Sequence, residues 1–281
     1  MVKDKYTAVW VSHSSIGDFL TCPRLYFLNN IYKDPDTARK ISLINPALAL
    51  GSAVHNTLEP LARVPADRRL DQPIRERFKA EWQKVSGVKG GFTSAEEEES
   101  YFKRGEKMIE RVITHPGPIT NKALRLPSRA NNMPPNFYLS EADNIILCGK
   151  LDWIEYLEPT DGLHILDFKT GKGNEKENSL QLPIYLLLAE NCQSRRVEKL
   201  SYWYLEHSDK PEAQNLPDRK EAKARVLEVA RSVKKAREER AFSCPRGPEG
   251  CFACRPFERI LSGEATYLGL NEIGQDLYTL V

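Results

Sequence analysis

The sequence predicts a chain of the α/β (α+β) class. β-rich segments gather between residues 144 and 207, and helical patterns lie on either side of them. Near the end, "FSCPRGPEGCFAC" holds three of six cysteines and predicts a metal-bound tail. A tetrahedral zinc or a four-iron cluster needs four thiolates, or three with a histidine, so one more ligand is expected elsewhere.

A length of 281 residues allows one large domain, or a core with an insertion, and is enough to bury a sizeable core. Hydrophobic content of 41% and charged content of 28% are those of a globular chain. The net charge of +2 excludes a globally basic protein, so any nucleic-acid surface is a local patch. The start, "MVKDKYTAVWVSHSS", has no long apolar run, which predicts neither a signal peptide nor a membrane span. Six cysteines do not make a disulfide scaffold in a chain of this length, and behind such a start the clustered ones point to metal binding in a cytoplasmic protein.

In chain order, Ser14 or Ser15 is placed as the cap of a helix with Ile16, Phe19 and Leu20 on its apolar side. Cys22-Pro23 interrupts it, and "RLYFLNNIY" resumes a helical pattern after a kink or a new start. A second helix is expected from about Gly51 to Glu59, stopped by Pro60. Its His55 and Glu59 are four apart and share a face. Residues 66–125 are charged and helical in composition and are expected to form a solvated helical insertion. "LPSRANNMPPNF" is loop-like and closes it.

The pattern then becomes β-rich. "NIILCGKLDWIEYL" (144–157) and "LHILDFKT" (163–170) flank the turn "EPTDG" and predict a hairpin. An apolar helix, "SLQLPIYLLLAEN", follows, and then a strand over 199–207. A long amphipathic helix is expected from Arg219 to Arg240, with Val226, Ala230 and Val233 inward. Composition divides the chain into an N-terminal helical part (1–65), the insertion (66–136), a core (137–210) and a C-terminal helix with the cysteine tail (211–281).

The hairpin carries the chemistry. Asp152 is placed on its first strand, and Asp167 and Lys169 on its second. Side chains alternate in a strand, so Asp167 and Lys169 share a face while Phe168 points into the other layer. Paired carboxylates can hold Mg²⁺ or Mn²⁺ through hard oxygen ligands, with the Phe168 carbonyl as one more. Such a metal polarises a phosphate and lowers the pKa of a bound water, and the lysine offsets developing charge. A lone D-x-K in a strand is more often a surface salt bridge, so context has to decide.

That context resembles the PD-(D/E)XK nuclease superfamily in its RecB-like branch. "GKLDWIEYL…LHILDFKTGK" is similar to the core motif, with Asp152 at its first position and Asp167 and Lys169 at its second. "QLPIY" matches the branch's Q-x-x-x-Y helix at Gln181 and Tyr185, and "GSAVH" matches its G-x-x-x-H helix, whose histidine, here His55, ligates metal. The resemblance implies a mixed β-sheet flanked by helices, with the site at one edge of the sheet. It also implies Mg²⁺- or Mn²⁺-dependent cleavage of DNA, as an exonuclease on DNA that is single-stranded or has single-stranded ends. The setting it implies is repair and recombination or CRISPR adaptation, with a helicase or an integration protein as partner.

The same resemblance bears on the missing thiolate. AddB-type and CRISPR-associated RecB-like exonucleases carry an iron–sulfur cluster with one cysteine in the N-terminal helix. "SHSSIGDFLTCPRLYF" is similar to that stretch, so the implied set is Cys22, Cys244, Cys251 and Cys254. It would clasp the two ends of the chain together. The tail departs from the family order: it reads C-x6-C-x2-C, with Cys244 before the pair and no cysteine after it. A [4Fe–4S] cluster is the first expectation and Zn²⁺ the second, since thiolates suit both.

Cys148 and Cys192 read as core residues. Tyr202, Trp203 and Tyr204 read as a packed aromatic strand, and Arg24 as a DNA-backbone contact. His13, His115, His164 and His207 show no partner pattern. Two competing functions are a catalytically silent DNA-binding or assembly subunit, and a zinc-stapled structural protein.

Overall fold

The computed structural model describes residues 4–127 and 133–280. Part of the expected loop at 126–137, residues 128–132, lies outside the described residues. The first half of the chain forms β1 (Val9–Val11), α1 (His13–Thr21), α2 (Pro23–Tyr26), a π-helical turn (Phe27–Ile31), β2 (Ile41–Leu43), α3 (Pro46–Leu58), α4 (Ile74–Gln83) and α5 (Ala95–Thr114). The β-rich part holds β3 (Ala123–Leu124), β4 (Asn136–Ser140), β5 (Ile145–Cys148), β6 (Trp153–Leu157) and β7 (Gly162–Lys169). Then come α6 (Gln181–Cys192), β8 (Val197–Tyr204), β9 (Glu212–Gln214), α7 (Arg219–Glu239), α8 (Arg255–Leu261), β10 (Thr266–Leu270) and β11 (Asp276–Thr279).

The fold is mixed α/β, as the sequence predicts, with three sheets among the described residues. The largest runs β3-β6-β7-β8-β9. β6 and β7 are antiparallel, and β7 and β8 are parallel, joined through α6. Alternation along β7 sorts its side chains between two cores. Ile165 faces one core, in which α6 and α7 pack with Leu186, Val226, Ala230 and Val233. Leu166 and Phe168 face the other, with Leu50, Phe78, Trp82 and Met108 of α3, α4 and α5. α7 behaves as expected, burying the stripe Val226, Ala230 and Val233 and exposing its charges.

Several boundaries differ from expectation, each for a local reason. The cap of α1 is Ser12, not Ser14 or Ser15: the Ser12 hydroxyl accepts the Ser15 N–H at 3.2 Å and the Ser15 hydroxyl accepts the Ser12 N–H at 2.8 Å. α3 starts at Pro46, a turn earlier than Gly51, because Asn45 caps it by accepting the Leu48 N–H at 3.0 Å. The run 144–157 is two strands. β5 pairs with β1 and β4 in a separate three-stranded sheet, and only β6 forms the hairpin with β7. Residues 66–125 are not simply solvated: Phe78, Trp82, Met108, Ile109 and Val112 recur at helical spacing beneath the charges and are buried. A third sheet, β10-β11-β2, joins the end of the chain to its first third and matched no sequence pattern.

Candidate active site and four-cysteine cluster

β7 is longer than its antiparallel partner. Its pairing with β6 ends at Trp153↔Leu166, while its pairing with β8 continues to Lys169↔Tyr204. One edge of Asp167, Phe168 and Lys169 is therefore left without a strand. Asp152 fills the gap: it stands just before β6, not on it, and its Oδ2 accepts the Phe168 N–H at 2.9 Å. A carboxylate thus replaces a backbone carbonyl at the point where the ladder stops.

The expected residues converge around this edge. Lys169 Nζ lies 2.9 Å from Asp167 Oδ2 and 4.8 Å from the centre of the Tyr202 ring. Gln181 opens α6 and ties the group together, donating to Asp167 Oδ1 at 2.8 Å and to the Tyr185 hydroxyl at 3.2 Å, and accepting from Lys169. From below, α3 brings His55 Nδ1 to 3.4 Å from Asp152 Oδ2 and 3.2 Å from Glu59 Oε1. Ligand atoms of His55, Glu59 and Asp152 all lie within 4.8 Å of one another. The Phe168 ring packs against Trp153 and Trp203 and meets the His55 ring edge-on, with centroids 6.1 Å apart.

The electrostatics are those of crowded carboxylates. Burial pushes the Asp152 pKa up; the nearby His55 opposes this, and Asp167 and Glu59 add to it, leaving it at about 7. Burial lowers the His55 pKa, but Asp152 and Glu59 outweigh it and raise it to about 9. Burial also works against the charge of Lys169, yet Asp167 and Glu175 raise its pKa, so it stays a cation. Asp167 Oδ2 is buried and is met by the Lys169 ammonium at 2.9 Å. A divalent cation fits this donor set: it would relieve the mutual repulsion of Asp152, Glu59 and Asp167, and hard carboxylates with one imidazole suit Mg²⁺ or Mn²⁺. A cavity of about 500 Å³ opens beside Glu59 and Asp152, with Arg63, Arg125 and Lys150 along it.

Some members of the site left no readable signal. Glu59 was visible only as the i+4 neighbour of His55, and its pairing with Lys150 needed the fold. Glu175 lies in a loop without a pattern, yet its Oε2 is 2.9 Å from Lys169 Nζ. His13 is half-buried near Lys169; burial first, and that cation second, lower its pKa. Arg24 is already engaged, its guanidinium forking onto Glu258 with the second contact at 3.1 Å. Cys148 and Cys192 are half-buried rather than deep in the core, and the Cys148 thiol donates to the Val11 carbonyl at 3.5 Å. Tyr202, Trp203 and Tyr204 are buried as expected.

The four remaining cysteines meet. Cys22 lies at the junction of α1 and α2, Cys244 and Cys251 on the loop after α7, and Cys254 at the start of α8; their sulfurs lie within 4.8 Å of one another. Leu25, Leu28, Phe257 and Ile260 surround them. Burial resists ionisation of Cys251, yet the amide N–H groups of Cys254 and Ala253 and neighbouring thiols bring its pKa down to about 6.

A mixed sheet with carboxylates and a lysine at the open edge of one strand defines a candidate metal-dependent hydrolase of phosphodiesters. Comparison with protein families identifies the class: residues 10–257 match the PD-(D/E)XK nuclease superfamily. The chain belongs to that superfamily, whose members use divalent metals. Comparison with curated proteins gives no significant match. Among the described residues, no helix is long and apolar enough to cross a membrane.

Proposed function

We propose that the protein is a metal-dependent DNA exonuclease of the RecB-like type, hydrolysing phosphodiester bonds from single-stranded ends. The observation that carries this reading is the meeting of Asp152, Asp167, Lys169, Gln181 and His55 at the unpaired edge of β7. His55, Asp152 and Asp167, with Glu59 added and the Phe168 carbonyl as a further oxygen, would hold Mg²⁺ or Mn²⁺. When bound, such an ion supplies Lewis acidity toward the phosphate and makes water a better nucleophile. The chain's own residues do the rest. The Lys169 ammonium, fixed by Asp167, Glu175 and Gln181, offsets negative charge gathering on the phosphate oxygens. Gln181 and Tyr185 keep Asp167 and Lys169 in register. Arg63 and Arg125 line the cavity as phosphate contacts for the incoming strand. Repair, recombination or CRISPR adaptation is the proposed setting, with a helicase or integration protein as partner.

The test is cleavage of end-labelled single-stranded DNA with Mn²⁺, beside a circular strand of the same length. The expected result is loss of the linear strand, sparing of the circle, and a fall of at least ~100-fold in Asp167→Ala and Lys169→Ala. Equal activity in wild type and both variants refutes the assignment of the site. Intact DNA binding with no cleavage by any of the three favours the silent-subunit reading. Cutting of the circle refutes the exonuclease reading alone.

A further inference from the structure

We infer that the four-cysteine site holds one tetrahedral zinc ion and not an iron–sulfur cluster. The distinction rests on size. On a single zinc, thiolate bonds of about 2.3 Å place the four sulfurs about 3.8 Å apart. In a [4Fe–4S] cluster each thiolate caps a separate iron, so the sulfurs stand roughly 6 Å apart around an eight-atom core. Here Cys251 Sγ and Cys254 Sγ are 3.7 Å apart, and all four sulfurs lie within 4.8 Å of one another. The cluster implied by the sequence resemblance does not fit that spacing.

The surroundings leave little room for two of the sulfurs to spread, while Cys244 and Cys251 are half-buried. Cys22 and Cys254 are both fully buried, and Leu28, Phe257 and Ile260 close around them. A Cβ added at Gly250 would lie 3.0 Å from Cys254 Sγ, so backbone already touches the ligand sphere on that side. The Cys251 N–H donates to Cys254 Sγ at 3.2 Å, fixing the tight C-x2-C turn that holds two thiolates on one centre. The unusual C-x6-C-x2-C order is compatible with this arrangement, because the longer spacing still leaves Cys244 Sγ within 4.8 Å of the other three sulfurs. Zn²⁺ has no redox chemistry and a closed four-thiolate shell leaves no open position, so the site is a structural clasp between α1–α2 and α8.

Metal content decides the matter without any nuclease assay. The whole chain is purified anaerobically from cells supplied with both iron and zinc, then dialysed against a mild chelator to strip the carboxylate site. The expected protein is colourless and retains about one zinc per chain. Replacing zinc by Co²⁺ should give thiolate-to-cobalt charge-transfer bands and the ligand-field bands of a tetrahedral thiolate site. Those bands should persist in His55→Ala and vanish in Cys244→Ser. If Cys244→Ser does not fold, the wild-type metal content and cobalt spectrum still decide. A broad visible band with about four irons and four sulfides per chain overturns the inference. So does a protein whose thiolates retain no metal.

Discussion

Removing Glu155 tests how the main sheet is held beneath the site. Glu155 on β6 lies directly opposite His164 on β7, and Ser201 on β8, opposite Leu166, is diagonal to that histidine. His164 Nδ1 is 2.6 Å from Glu155 Oε2, and its Nε2 is 2.8 Å from Ser201 Oγ. Asn121 donates to the other Glu155 oxygen at 2.5 Å. The order serine, histidine, carboxylate is that of a nucleophilic triad, but all three residues are at most 7% exposed, so no substrate carbonyl reaches the hydroxyl. Its role is to bridge strands in a core that also contains Trp153 and Phe168. Glu155→Ala leaves the His164 Nδ1 and the Asn121 amide without a buried acceptor, which costs about 3 kcal/mol, the lower end for a broken buried pair. For a chain of this size that is a fall in Tm of roughly 6–9 °C.

The same residue gives the pH dependence. Burial pushes the Glu155 pKa up, but His164 and Asn121 more than offset it, leaving it below the ordinary 4.5. A carboxylate with a depressed folded pKa contributes stability that is fully present above its unfolded value and is lost as pH falls through the folded one. The gap between wild type and Glu155→Ala should therefore narrow as pH falls below about 4.5. Urea unfolding followed by circular dichroism measures both. A difference under ~1 kcal/mol at pH 7, or a gap that widens below about pH 4.5, would refute the reasoning. Below its unfolding temperature the variant should still cleave DNA, which separates bridging from catalysis.

Two further outcomes follow from single contacts. Glu59→Ala removes one of the three groups gathered where the end of α3 meets the start of β6, and should raise the Mn²⁺ concentration for half-maximal cleavage by at least ~10-fold, read from a metal titration of activity. Gly105→Ala would place a Cβ 2.3 Å from Phe78 Cζ and 3.1 Å from Leu50 Cδ1, and should destabilise the helical layer by about 1–3 kcal/mol in urea unfolding.

What the sequence made legible were patterns that are local by nature. Asp167 and Lys169 are two apart on one strand, and Gln181 and Tyr185 are four apart on one helix, so each pair was fixed by the period of its element. α7 announced itself through an apolar stripe under its charges. In α4 and α5 a stripe of the same kind exists under charges no denser than those of α7, so it was open to the same reading. Glu175, Lys150 and the sheet formed by β2, β10 and β11 depend on contacts between distant segments, for which one sequence holds no period. The cysteines could be counted from the sequence, but the spacing of their sulfurs could not.

The least legible step was the one that creates the site. Residues 144–157 read as one strand because both β5 and β6 are apolar and β-branched or aromatic. The chain instead leaves one sheet at Cys148 and enters another at Trp153. Gly149 permits that passage: a Cβ there would lie 2.8 Å from Leu188 Cδ1, so the backbone runs hard against α6. Had the run continued as a single strand, it would have covered the edge of β7 through Lys169, and the Phe168 N–H would have been spent on a backbone carbonyl. The break shortens β6, frees that edge and delivers Asp152 to it. A carboxylate held there by one amide still has lone pairs for a metal, which a strand carbonyl in the ladder does not offer in the same direction. The metal-binding chemistry proposed for this chain thus depends on the four residues that fail to be a strand.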